Sequence, residues 1–175
     1  MIFKSTLLAA GLVISMITPA QANDPAKLTD LQIAHVAYIA DNIDIRYAHL
    51  ALAISTNPAI RTFAETMIRD HTAVNDQALA LLSKLNAKPE DNFLSQSLLE
   101  GADKLINEMS QLRGAAFDKR YAENELAYHK AVNDLVGNIF IPNIENAEVR
   151  ALFEAGHEIF LAHQHHAEKT VAEIN

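Results

Sequence analysis

The sequence predicts an all-α protein built as a four-helix bundle, with an additional short helix between the second and third long helices. Apolar residues recur with helical period along nearly the whole chain after residue 22. Hydrophobic residues make up 50% of the sequence while aromatic residues supply only 6%, which is typical of Ala- and Leu-rich helix stripes. Five glycines and five prolines are too few for a many-turned β-sandwich.

Clear start signals define the first two helices. Thr29 to Gln32 form a capping box, so we expect the first helix to begin at Thr29 and run to about residue 56. Asn57 and Pro58 then supply an N-cap and a first helical residue for a second helix over about 58–87. The predicted apolar stripe of the first helix consists of Leu31, Ala34, Tyr38, Ile45, Ala48 and Leu52.

Three further helices are predicted over about 93–112, 115–138 and 147–174, the last one capped by Asn146. The first of these is shorter than the others. At about 1.5 Å per residue it is nevertheless long enough to carry the chain along the length of a bundle. This favours a long crossover between the second and third long helices, as in ferritin-like folds, over a simple up-down-up-down bundle.

The first twenty-two residues have the pattern of a secretory signal peptide. Lys4 is their only charge, a continuous apolar run follows over 7–17, and Ala20-Gln21-Ala22 matches a cleavage site. The run is too short for a transmembrane anchor. We therefore expect cleavage after Ala22, a single domain over 23–175 without a transmembrane segment, and a periplasmic location that leaves outer-membrane association open.

Composition excludes several classes of function. A net charge of −8 disfavours nucleic-acid binding, and the absence of cysteine excludes disulfides, iron–sulfur clusters and thiolate metal sites. No nucleophile elbow, zinc-protease motif or phosphate-binding glycine loop is present. Acidic residues such as Asp118, Glu123 and Glu145 are interpreted as parts of solvated faces.

Four side chains of metal-binding types fall near the middle of the four long helices. Asp44, His71, His129 and His163 each lie within about three residues of a predicted helix midpoint. Because a residue in mid-helix stays at mid-height whichever way its helix runs, these four side chains are expected in one layer. Spacing places His71 and His163 on apolar stripes and leaves the orientation of His129 and Asp44 open.

Imidazoles with one carboxylate or thioether suit a Zn or Cu ion, and Met67 is an alternative fourth ligand to Asp44. The competing interpretation is that the histidines are buried, metal-free polar residues. A di-iron carboxylate site is not supported, because Glu154 and His157 form the one Glu-x-x-His match. His163 and His166 could also form a surface pair, although His165 and His166 are expected in solvent.

The sequence resembles the family called domain of unknown function 4142. The resemblance rests on Phe63-Ala64-x-x-Met67-x-x-Asp70-His71, on Phe117-Asp118-x-x-Tyr121, and on the later His129 and His163. The resemblance covers roughly residues 31–170. It implies a ferritin-like bundle exported by bacteria, and members of the family are often labelled outer membrane proteins. Asp41 and Asp44 depart from it, since the family tends to have Asn or Gly and then Glu there.

Two functions follow as hypotheses, with enzymatic activity left open and an oxidoreductase ranked behind both. The first is an exported protein that binds a transition-metal ion through His71, His129 and His163, with Asp44. The second is a non-catalytic structural or stress-related envelope protein whose partner is another envelope protein or a second copy of itself.

Overall fold

The computed structural model describes residues 23–174, and every regular element within this range is helical. The all-α prediction is confirmed. A short 3-10 turn, Pro25–Lys27, precedes five helices: α1 (Asp30–Ile54), α2 (Pro58–Lys84), α3 (Phe93–Met109), α4 (Gly114–Leu135) and α5 (Ala147–Ile174). A π-helical segment, Val136–Phe140, and one turn, Ile141–Asn143, extend α4. No helix in this range is long and apolar enough to cross a membrane. The predicted signal peptide lies outside the described residues.

The predicted helix starts are confirmed by their caps. The Thr29 hydroxyl accepts a hydrogen bond from the Gln32 backbone, and the Gln32 side chain accepts one from the Thr29 backbone. Asn57 accepts from the backbone of Ala59 with Pro58 at the first helical position, and Asn146 caps α5. These bonds satisfy amide groups that a helix start otherwise leaves without partners.

The helices form a bundle with one long crossover. α1 packs on antiparallel α2, and α4 packs on antiparallel α5. α3 runs beside α1 in the same direction, because His35 contacts Ser95 and Arg46 contacts Asp103. The chain thus returns along the bundle between α2 and α4, so these two helices run the same way. The predicted crossover through a short helix is therefore present.

The predicted stripe of α1 is wrong at four of its six positions. Ala34 and Ala48 are buried, but Leu31, Tyr38, Ile45 and Leu52 are only partly so. α1 packs against α2, α3 and α4, so its buried arc is wider than one stripe and is centred elsewhere. The arc's fully buried members are Ile33, Val36, Ala40, Asp41, Ile43, Asp44, Tyr47 and Ala51.

Asp118 also departs from the sequence prediction. Glu123 and Glu145 are exposed as expected, whereas Asp118 is buried and accepts a hydrogen bond from the Ser55 hydroxyl. Ser55 is the C-cap of α1, so this bond ties the end of α1 to the beginning of α4. Side chains near the beginning of a helix can face a neighbouring helix end even when the sequence pattern places them on a solvated face.

We expect Asp118→Ala to lower the free energy of unfolding by about 1–3 kcal/mol, because Ser55 would keep a buried hydroxyl without this acceptor. Urea denaturation followed by circular dichroism measures the change. Glu123→Ala, on the exposed face of the same helix, is the control and should stay within about 0.5 kcal/mol of wild type. Equal stability of the two variants would contradict the structural role of Asp118.

Candidate metal centre

Asp44, His71, His129 and His163 come from α1, α2, α4 and α5 and lie in one layer of the bundle. Oδ2 of Asp44 is 3.4 Å from Nε2 of His71 and 3.4 Å from Nε2 of His129. The ring of His163 lies 5.1 Å from that of His71 and 5.6 Å from that of His129, centroid to centroid. All four side chains are buried. Each of these four helices therefore contributes one side chain of a metal-binding type to the bundle interior.

The three imidazoles form a compact group. One nitrogen from each of His71, His129 and His163 lies within 4.8 Å of the other two. Phe160 stacks on His71 at a centroid distance of 5.1 Å, and Phe63 meets His129 edge-on at 6.4 Å. This aromatic packing restricts ring rotation. The three rings therefore lie close enough together for one ion to reach a nitrogen of each.

The outer nitrogen of each imidazole is held by a hydrogen-bond acceptor. Nδ1 of His71 lies 2.7 Å from the Asp41 carboxylate, and Nε2 of His163 lies 3.0 Å from the Asp70 carboxylate. Nδ1 of His129 lies 2.9 Å from the backbone carbonyl of Glu125. Because carboxylates and carbonyls accept hydrogen bonds, each outer nitrogen carries a hydrogen, which is the single ring hydrogen wherever the ring is neutral. The lone pair of each neutral ring is then on the inner nitrogen, as in known metal sites.

The inner nitrogens have no hydrogen-bond partner among the described residues. This holds for Nε2 of His71, Nε2 of His129 and Nδ1 of His163, all of which are buried. Buried polar atoms in native proteins nearly always form hydrogen bonds, so an unpartnered atom needs a physical explanation. A metal ion that displaces the proton of His71 would give these nitrogens a partner, because one nitrogen of each ring lies within 4.8 Å of the other two.

Two carboxylates adjoin the imidazoles. Asp44 and Glu125 are fully buried, and burial followed by the charge of Asp44 raises the pKa of Glu125 well above its usual range. Apart from interactions of Glu125 with the side chains of Asp44 and Asn124, their four oxygens have no hydrogen-bond partner within residues 23–174. With His129 they form a second group of ligand atoms, again within 4.8 Å of one another. His129 thus belongs to both groups, and Asp44 lies at ion-pair distance from two of the imidazoles.

The electrostatics of the site favour one positively charged imidazole among the three. Burial opposes protonation of His71, but the charges of Asp44 and Asp41 outweigh it and raise the pKa of His71 to about 9. Burial lowers the pKa of His129, and burial followed by the charge of His71 lowers the pKa of His163 to about 4. At neutral pH the metal-free protein therefore carries His71 as the cation, with the other two rings neutral.

Sequence reasoning missed Glu125, Asp41 and Asp70 as parts of the site. Glu125 lies one helical turn before His129, a spacing that places both on one helix face. Asp41 lies one turn before Asp44 on α1, and Asp70 directly precedes His71. Each was a recognisable signal, but an acidic residue on a helix is far more often solvated than buried.

Most of the other histidines lie apart from this layer. His35 contacts Ser95 on α3, and His157 lies against Gly137 in the π-helical segment. His165 is exposed as expected, but His166 is half-buried with its ring 4.9 Å from that of Phe63. His163 turns into the bundle instead of joining His166 in a surface pair. Met67 is fully buried in the core, and its assignment as a ligand stays a prediction.

Comparison with known proteins assigns the chain to a family. The family model described as Domain of unknown function (DUF4142) matches residues 16–170. The chain belongs to this family. No curated protein and no solved structure matches it. The family membership agrees with the sequence resemblance, and the chemistry of the site has to be argued from the residues of this chain.

Proposed function

We propose that this DUF4142 protein is an exported, periplasmic protein that binds a transition-metal ion. His71, His129 and His163 supply three imidazole ligands, and Asp44 supplies the fourth. Export is supported by the signal-peptide pattern of residues 1–22. Metal binding is supported by the geometry of the layer in which the four helices meet.

One observation supports metal binding above all. In each imidazole the outer nitrogen is hydrogen-bonded, while the inner nitrogen is buried without a hydrogen-bond partner among the described residues. A purely structural role would be expected to satisfy both nitrogens, since an unpartnered buried polar atom costs about 1–3 kcal/mol. Outer nitrogens held by carboxylates or carbonyls are the usual support of metal-binding histidines.

The donor set indicates the class of ion. Three neutral imidazoles and one carboxylate oxygen suit Zn²⁺ or Cu²⁺, which bind nitrogen ligands strongly. The chain has no cysteine, so thiolate ligation does not compete. Zinc and copper are therefore the ions with which the proposal is tested first.

Elemental analysis of the purified mature chain without an affinity tag tests the proposal. After incubation with Zn²⁺ or Cu²⁺ and removal of free ions, the wild type should retain about one ion or more per chain. The His71→Ala/His163→Ala variant should retain less than about a tenth of that amount. His165→Ala, which changes an exposed histidine of the same helix as His163, is the matched control. It should behave as wild type.

Equal metal content in wild type and the double variant would refute the proposal. It would favour the second hypothesis, a structural envelope protein with metal-free histidines.

Asp41→Asn is expected to weaken Zn²⁺ binding by about 10–100-fold without removing a ligand. The amide can still accept the hydrogen bond from Nδ1 of His71, but it lacks the charge that makes the ring a better donor. Competition against a coloured chelator over a pH series, with the proton on His71 accounted for in each protein, gives the pH-independent dissociation constants that are compared.

Asp103→Asn changes an exposed carboxylate that pairs with Arg46 and serves as the control. If both variants bind zinc as tightly as wild type does, Asp41 has no positioning role.

A further inference from the structure

We infer that the bundle holds a second divalent cation, bound by Glu125 and Asp44 beside the ion of the imidazole group. The inference rests on the proposed function, because the two ions share Asp44. The starting observation is a count of donor atoms. One ion bound by three imidazoles and one Asp44 oxygen leaves three buried carboxylate oxygens without a hydrogen bond.

The number of lone pairs on each side chain decides which residues the two ions can share. The inner nitrogen of a neutral imidazole has one lone pair, so His129 binds one ion or the other. A carboxylate has two oxygens and can bridge two ions. Oδ2 of Asp44 lies 3.4 Å from Nε2 of His71 and 3.4 Å from Nε2 of His129, so Asp44 stands between the two groups.

Glu125 provides the independent evidence for the second position. Its side chain is 0% exposed, and its carboxyl group interacts with the side chains of Asp44 and Asn124 without meeting the full geometry of a hydrogen bond to either. The hydroxyl of Tyr121, one turn earlier on the same face of α4, is also buried without a partner. A glutamate that only filled space would be expected to receive hydrogen bonds there. A cation at this point would satisfy both oxygens.

The donors of the second position differ from those of the first. The second Asp44 oxygen and the two Glu125 oxygens form an all-oxygen set, which suits harder divalent cations such as Mn²⁺ or Fe²⁺ better than a set of three imidazoles and one carboxylate oxygen does. Co²⁺ accepts both kinds of ligand and is optically and magnetically active. It is therefore the probe for counting ions in both positions.

Titration of the metal-free protein with Co²⁺ tests the inference. The visible absorption of wild type should increase up to two equivalents per chain, and that of Glu125→Gln should stop at one. Glu123→Gln, on the exposed face of α4, is the matched control and should reach two. Saturation of wild type at one equivalent would overturn the inference, as would two equivalents in Glu125→Gln.

The two proposals fail in different ways. Wild type that binds none of Co²⁺, Zn²⁺ and Cu²⁺ refutes both. A single equivalent that survives Glu125→Gln and is lost in His71→Ala/His163→Ala refutes only the second ion.

Electron paramagnetic resonance of wild type removes the dependence on folded variants. Two Co²⁺ ions bridged by one carboxylate couple magnetically, so the single-ion signal should fall between one and two equivalents. A signal that keeps rising through two equivalents would overturn the inference.

Discussion

Zn²⁺ at a hundredfold excess over its dissociation constant is expected to stabilise the wild-type protein by about 2.7 kcal/mol. For a domain of this size, such a gain corresponds to a rise of about 5–11 °C in Tm. The physical reason is that the ion binds the folded site and not the unfolded chain, where the four ligand residues are scattered. Differential scanning fluorimetry with and without the ion measures the shift.

The His71→Ala/His163→Ala variant should show almost no Zn²⁺-dependent shift, because two of the three imidazole ligands are gone. Its metal-free Tm will differ from that of wild type, since removing buried rings leaves cavities beside Phe160. Only the shift within each protein is therefore compared. His165→Ala should retain the full shift. A zinc-dependent rise in the double variant equal to that of wild type would contradict binding at this site.

The height of the site in the bundle can be predicted from the sequence. Asp44, His71, His129 and His163 lie near helix midpoints, and a midpoint stays at mid-height whatever the direction of its helix. The Thr29 cap and the crossover helix could also be predicted from the sequence. The cap depends on a local motif, and the crossover depends on the length of the helix. Position along a helix axis is thus well determined by caps and breaks.

Rotation about the helix axis is much harder to predict. Asp44 lies beside the predicted stripe residue Ile45, yet Asp44 is fully buried and Ile45 is not. The reason is tertiary: α3 covers part of α1, and sequence periodicity cannot show which side a crossover helix occupies. Glu125 was missed for a related reason, since hydropathy treats every carboxylate as solvated and its burial depends on a partner from another helix.

Affinity for Zn²⁺ should rise by about thirtyfold between pH 6.5 and pH 8.0, close to tenfold per pH unit. In the metal-free protein His71 has a pKa of about 9, so this ring holds a proton throughout that interval. Zinc needs the lone pair of Nε2 and must displace the proton. His163, with a pKa of about 4, and His129, whose pKa is also lowered, are already neutral and add no further slope. Chelator competition across the pH series measures the dependence.

Calorimetry in buffers with different ionisation enthalpies gives an independent count of the protons released. Close to one proton per bound zinc is expected at pH 7. Asp41→Asn provides a second test. Removing the negative charge of Asp41 lowers the pKa of His71 from about 9 toward 7. The affinity of this variant should then depend less steeply on pH above 7, although its hydrogen bond to the ring can persist. Zinc binding that releases no proton in wild type would mean that His71 is not a ligand. The same slope in wild type and variant would mean that Asp41 does not hold the proton on the ring.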